Sequence, residues 1–147
     1  EQRGLEILPD AVFLRATWMY DLPGYGLPIR PNLPLNLLRA ALRGEEAVFS
    51  AGDYRGVTYV RQAVENLIPA MALPGGCYNF GSENPLDMDA TARAFCSAMG
   101  IAPRLTPGDR VRSLAMDCGK ARRAGIVFDD TAAGIRRCLA DYGLDSF

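Results

Sequence analysis

Ala11-Val12-Phe13-Leu14-Arg15-Ala16-Thr17-Trp18-Met19-Tyr20 is an apolar, β-prone run with a single charge in it. It lacks the polar–apolar alternation of a strand with one wet face. The run therefore predicts one strand covered on both faces, as in a parallel sheet. Pro9-Asp10 precedes it as a turn, and Asp21 to Pro31 carries three prolines and two glycines, which predicts an irregular loop. Beyond that loop Asn32 and Pro34 open a helix with Leu37, Leu38, Ala41 and Leu42 at helical spacing and Gly44 as its stop.

Further along, Ala47 to Ser50 and Val57 to Val60 read as short strands about a turn at Gly52-Asp53. A helix follows in which Val60, Val64, Leu67, Ile68 and Met71 form one stripe, the expected buried face. Cys77 to Phe80 reads as a strand. Asp87 caps a helix that buries Met88, Ala92, Phe95 and Met99 and ends at Gly100. Val111 to Met116 is another strand, Asp117 caps a short helix to Ala124, and Thr131 caps a last helix facing inward with Ile135, Cys138, Leu139 and Tyr142. Strands alternate with helices, so the fold class is α/β, in one domain over 1–147. The strand at 11–20 needs parallel neighbours, and few candidates for them exist in the chain. The expectation is that the missing strands lie upstream of Glu1, where the chain opens in a charged, helix-like stretch rather than at a methionine.

Composition removes several function classes. A net charge of -1 over 147 residues gives no basic excess for a nucleic-acid partner. Fifteen of the sixteen cationic residues are arginine, and Lys120 is the only lysine. Arginine suits carboxylates and phosphates through its planar fork, although high-GC coding yields the same bias. With no histidine, a Ser-His-Asp triad, Cys-His chemistry and histidine-ligated metal are excluded. Cys77, Cys96, Cys118 and Cys138 stand far apart with no Cys-x-x-Cys pair, so free and mostly buried thiols in a reducing cytosol are expected, and no metal. No apolar run approaches the ~20 residues of a membrane span, and no signal peptide is visible.

Four stretches, in order, resemble the extended short-chain dehydrogenase/reductase family, the NAD-dependent epimerase/dehydratases, and most nearly its dTDP-4-dehydrorhamnose reductases. Leu14-Arg15-Ala16-Thr17-Trp18-Met19-Tyr20 is similar to the family's Arg-x-Ser/Thr-Trp-Val-Tyr strand. Arg55-Gly56-Val57-Thr58-Tyr59-Val60 is similar to its Arg-x-x-x-His/Tyr-Val segment. Gly76-Cys77-Tyr78-Asn79-Phe80-Gly81-Ser82 resembles its Gly-x-Tyr-Asn-(apolar)-Gly-Ser strand. Met116-Asp117-Cys118-Gly119-Lys120-Ala121-Arg122 resembles its Asp-x-Ser-Lys helix start, with Gly119 in place of the serine. The likeness spans about residues 5–144.

The resemblance implies the substrate-binding lobe of a Rossmann-type sugar-nucleotide enzyme whose amino-terminal cofactor half is missing, with 11–20 as a strand of the larger sheet. The family's glycine-rich dinucleotide turn is absent: Gly24-Tyr25-Gly26 has Ile29 where the third glycine should stand. No tyrosine is followed four places later by lysine, so the Tyr-x-x-x-Lys pair is absent too. NAD or NADP is thus expected in the intact protein and not on this fragment, which should carry no catalytic residue of its own.

By the same resemblance Arg55 holds the diphosphate of a nucleotide sugar, against the plainer reading of a solvated arginine beside Asp53. Trp18 and Thr17 would face the sugar, against a core role. A second phosphate arginine is expected among Arg104, Arg110 and Arg112, of which Arg112 is chosen. Tyr20 and Arg15 are expected in core packing and an internal salt bridge, and Lys120 at a helix start. The expected function is reduction of a dTDP-4-keto-sugar by an NAD(P)-dependent cytoplasmic enzyme. A 4-epimerase or 4,6-dehydratase, and a non-catalytic nucleotide-sugar-binding or oligomerisation module, stand as alternatives. Partners expected are the missing half and a second copy through a swapped or sheet-extending dimer, with no nucleic acid and no membrane.

Overall fold

A computed structural model describes residues 1–24, 26 and 28–145. Its elements run α1 (Gln2–Ile7), β1 (Val12–Ala16), β2 (Trp18–Tyr20), α2 (Leu33–Arg43), β3 (Glu46–Ser50), β4 (Asp53–Arg55) and β5 (Val57–Tyr59). They continue with α3 (Val60–Ala70), β6 (Gly76–Phe80), α4 (Met88–Ala98), β7 (Arg104–Gly108), β8 (Arg112–Leu114), α5 (Gly119–Arg123) and α6 (Thr131–Asp141). Every strand pair is parallel: β1 with β6, β2 with β5, β3 with β7 and β4 with β8. Parallel pairing needs long crossovers, and the helices supply them. The α/β class read from the sequence is the observed one.

The apolar run at 11–20 is two strands, which corrects the single strand expected. The break falls at Thr17. Its N–H still bonds the Phe80 carbonyl, as the last rung beside β6, while Trp18 begins a new ladder beside Val57. The hydroxyls of Thr17 and Thr58 hydrogen-bond across the junction, and Thr58 Oγ1 also accepts from the Ser82 N–H at 2.8 Å. Gly81 takes a left-handed φ of 153° here, and a Cβ on it would collide with both threonines. Each half of the run thus has one partner strand in this chain, β6 for β1 and β5 for β2, and the run is not covered on both faces, since Trp18 is 62% exposed.

Two cores result. The larger joins β2, β5, α2, α4 and α6 through Tyr20, Leu37, Val57, Tyr59, Phe95, Ile135 and Leu139. Fully burying a side chain such as Phe95 contributes roughly 2–3 kcal/mol. The smaller joins β1, β6, α3 and α5 through Ala63, Ala70, Tyr78, Phe80, Ala121 and Ile126. Leu42, expected inside, is exposed, and Ala40 takes the inner place on α2. Two caps shift as well. Asp130, not Thr131, caps α6 by accepting from Ala133 N–H, which leaves the Thr131 hydroxyl to accept from Val57 N–H at 3.0 Å. Cys118 stands at the cap position of α5, with Asp117 accepting from Gly119 N–H beside it. The strand β7 was not expected, because Pro107 and Gly108 disguise it.

The largest departure is α3. Its stripe of Val64, Leu67, Ile68 and Met71 faces solvent, with Met71 84% and Ile68 80% exposed. The inner positions are held by Gln62, Ala63 and Ala70. Gln62 exchanges two hydrogen bonds with Asp129, and Asn66 does the same with the backbone of Val127, so amides join Ala63 and Ala70 in fixing the helix against residues 126–129. Ile68→Asp should accordingly change the unfolding free energy by no more than about 0.5 kcal/mol. A loss of about 2 kcal/mol or more in a denaturant titration, as for a core isoleucine, would contradict that placement.

The four cysteines are free, with Cys96, Cys118 and Cys138 buried and Cys77 half-buried. Burial pushes the Cys138 thiol up to about 12 and raises those of Cys96 and Cys118 in the same direction. A thiol reagent at pH 8 should therefore label Cys77 quickly and the other three only on unfolding. Rapid labelling of two or more thiols in the native protein would contradict this.

Candidate functional site

The carboxyl ends of three parallel strands converge on one cavity of about 480 Å³. Ala16 ends β1, Arg55 ends β4 and Leu114 ends β8, with Asn79 beside the end of β6. Thr17, Trp18, Gly56 and Met116 complete much of the wall. Crevices outside the carboxyl ends of strands are where open α/β sheets bind ligands.

Asp53 and Arg55 alternate on β4, so both side chains leave the same face. Across the ladder Arg112 lies directly opposite Asp53. The carboxylate of Asp53 accepts from Arg55 Nε at 3.3 Å and from Arg55 Nη2, and from Arg112 Nε at 3.3 Å and Nη2 at 3.1 Å. Asp53 and Arg55 are only 6% and 5% exposed, whereas Arg112 is half-buried. One carboxylate thus answers two guanidiniums, and a positive charge is left over at the cavity wall. The guanidinium of Arg55 also lies 4.0 Å from the centre of the Trp18 ring, a cation–π stack that fixes its plane. Asn84 Nδ2 holds the Arg55 carbonyl at 3.0 Å.

Two close approaches shape the crevice. Gly56 lies against the Ser82 carbonyl, nearer than any Cβ tolerates, and Gly81 does the same beneath Thr17. The hydroxyl of Thr17 is committed to Thr58 and to the Trp18 carbonyl at 3.2 Å, so its edge, not its hydroxyl, lines the space. Residues 16–18 also line a second, more apolar cavity of about 560 Å³ with Asn32, Leu33, Asn36, Phe49 and Met88. Trp18 stands between the two spaces.

Of the four residues singled out from the sequence, Arg55, Trp18 and Thr17 line the cavity, and Arg112 lies outside its lining, paired with Asp53. Asp53 itself was seen in the sequence only as a rival explanation for Arg55. Asn79, Met116 and Phe49 were not singled out as site residues, because strand pairing alone brings them together. Arg15 pairs with Glu1, and Tyr20 is core. Lys120 donates to the Cys77 carbonyl at 3.0 Å and lies over the Tyr78 ring, away from the cavity. Tyr25 and Leu27, in the loop read as irregular from Asp21 to Pro31, lie outside the described residues. Among the described residues no group of three or more cysteine, aspartate and glutamate side chains stands ready for a metal ion. No helix among them is long and apolar enough to cross a membrane.

The residues present do not fit a dinucleotide. Gly24 packs on the Tyr142 ring rather than opening a helix, and the single lysine is engaged elsewhere.

No family model matches the chain, and no curated protein matches it in sequence. Solved structures do share its fold. The dTDP-4-dehydrorhamnose reductase of Bacillus anthracis, solved with NADP, overlaps at a TM-score of 0.75 with 15% identity, over 95% of this chain and 51% of that one. The UDP-glucose 4-epimerase of Thermus thermophilus, solved with NAD, overlaps at 0.72 with 18% identity, over 97% and 51%. The UDP-N-acetylglucosamine 4-epimerase of Methanobrevibacter ruminantium, solved with UDP-N-acetylmuramic acid, overlaps at 0.66 with 15% identity, over 96% and 49%. The chain spans about half the length of these neighbours, and it has the mixed α/β, Rossmann-like fold of that part of sugar-nucleotide epimerases and reductases.

Proposed function

We propose that this chain is the substrate-binding lobe of an NAD(P)-dependent sugar-nucleotide oxidoreductase, and that Arg55 and Arg112 hold the diphosphate of its substrate. The observation that carries this is the unbalanced charge: two guanidiniums on one buried carboxylate, with Arg55 on the cavity wall at the carboxyl end of β4 and Arg112 at the start of β8 beside it. A diphosphate supplies the missing negative charge in the bidentate geometry arginine prefers. Trp18 and Thr17 border the sugar, and the more apolar space beyond Trp18 suits the nucleoside. The substrate is a dTDP-4-keto-sugar reduced at its carbonyl, in line with the overlap with the reductase. The enzyme works in the cytoplasm.

The hydride donor and the proton-transfer residues belong to a dinucleotide-binding half outside this chain. A docking place for that half is legible here. Odd-numbered residues of β1 bond β6, as the Ala11 and Thr17 rungs show, so the amides of Val12, Leu14 and Ala16 point to the other edge. No described strand pairs there. The outer edge of β6, in contrast, is blunted by Lys120 on the Cys77 carbonyl. The exposed stripe of α3, opposite the amides that hold residues 127–129, offers that half an apolar surface. A strand beside β1 and a helix beside α3 would extend both layers at once.

Thermal unfolding with a dTDP- or UDP-hexose tests the substrate reading. Saturating ligand should raise the midpoint by several degrees, as selective binding to the native state requires. No shift at millimolar nucleotide sugar would count against it. Hydrogen exchange tests the docking: the amides of Val12, Leu14 and Ala16 should exchange quickly here and slowly when a dinucleotide-binding half is present. Equal rates in both would remove that interface.

A further inference from the structure

We infer that Asp53 is a positioning residue, whose one carboxylate ties Arg55 and Arg112 into a single clamp for the two phosphoryl groups of a diphosphate. The inference rests on the nucleotide-diphosphate reading above and adds a residue and a mechanism to it.

Without a carboxylate between them, two guanidiniums on adjacent strands would repel, and the half-buried Arg112 would turn to water. Asp53 prevents this from both sides of its carboxylate. It reaches Arg55 along its own strand and Arg112 across the ladder, in each case with an Nε and an Nη donor on its two oxygens. That arrangement uses one edge of each fork and leaves the remaining N–H groups of both uncommitted to Asp53, with Arg55 on the cavity wall and Arg112 beside it. Arg55 is further fixed by Trp18 and by Asn84 on its carbonyl, so Asp53 matters most for Arg112, which has no other ion-pair partner among the described residues.

Two effects of Asp53 on an anion oppose each other. Its negative charge repels the ligand, while its geometry presents both arginines to it. Repulsion is weakened by solvent at an open cavity mouth, whereas a misplaced fork loses its charge-assisted hydrogen bonds outright. Positioning should therefore win.

The test is Asp53→Asn, which keeps size and one acceptor oxygen and removes the charge. UDP binding should weaken about tenfold, and in an Arg112→Ala background the same change should weaken it by less than about twofold, because the residue through which Asp53 acts is gone. UDP binding that is unchanged or tighter in Asp53→Asn would overturn the proposal, since it would make Asp53 a repelling charge only. Equal losses in both backgrounds would overturn it too, as the mark of a general folding defect. A ligand-free readout separates this from the substrate reading. The Nε–H resonance of Arg112 should be visible and slowly exchanging in the unsubstituted protein and lost in Asp53→Asn. Its persistence would sink the positioning role even where UDP binds, and its loss would uphold that role even where UDP does not.

Discussion

Arg55→Ala should lower affinity for a nucleoside diphosphate by about a hundredfold or more, with only a modest loss of stability. The binding loss follows from the removal of a fixed guanidinium on the cavity wall; truncating a buried charged anchor of this kind costs on the order of 3 kcal/mol. The stability loss stays smaller, about 1–2 kcal/mol, because Asp53 keeps Arg112 as a partner and is not left as an orphaned buried charge. What goes is the stack on Trp18 and part of the packing. Arg55→Lys should fall between, retaining charge but not the fork. Calorimetric titration with UDP or dTDP and a denaturant titration of each variant check both parts. A variant that binds normally would take Arg55 out of the site.

Gly56→Ala should be the most damaging single methyl group in the chain. A Cβ there would overlap the Ser82 carbonyl, a backbone atom that cannot swing aside, and would also crowd the Thr17 methyl. Ser82 is itself fixed by its N–H to Thr58, so the strain passes into the junction where β1 hands over to β2. Overpacking against backbone costs about 3 kcal/mol or more. The expected result is a sharply lowered unfolding midpoint. Gly44→Ala is the control: its Cβ would meet nothing, and only the left-handed φ of 64° at the end of α2 adds strain, about 1 kcal/mol. Equal effects at the two sites would contradict the close approach.

The alternation of strands and helices was legible in the sequence because it depends on local pattern and punctuation. The caps at Asn32 and Asp87 and the stop at Gly44 are local features of that kind. The features that escaped are those decided between segments. The run at 11–20 carries no mark at Thr17, since the break comes from a change of partner strand and not from a change of residue type. The stripe on α3 has the spacing of a buried face, yet Gln62 and Asn66 find matched backbone and side-chain partners at 127–129 and turn that stripe outward. For the site, the resemblance of local motifs singled out Arg55, Trp18 and Thr17, which the fold brings to one cavity, while spacing did not separate Arg112 from Arg104 and Arg110. That Asp53 lies opposite Arg112 is a matter of register between β4 and β8, 59 positions apart, which no spacing rule supplies.

Trp18 is the only tryptophan and sits on Arg55 between the two cavities, so its fluorescence reports directly on the proposed clamp. The decisive measurement is a fluorescence titration with dTDP and with dTMP at one ionic strength. A saturable change with dTDP, at least about tenfold weaker with the monophosphate, is the predicted result, since the proposed clamp sets one arginine against each phosphoryl group. No saturable response to either, or equal affinity for both, would mean that the paired arginines serve the fold and hold no diphosphate.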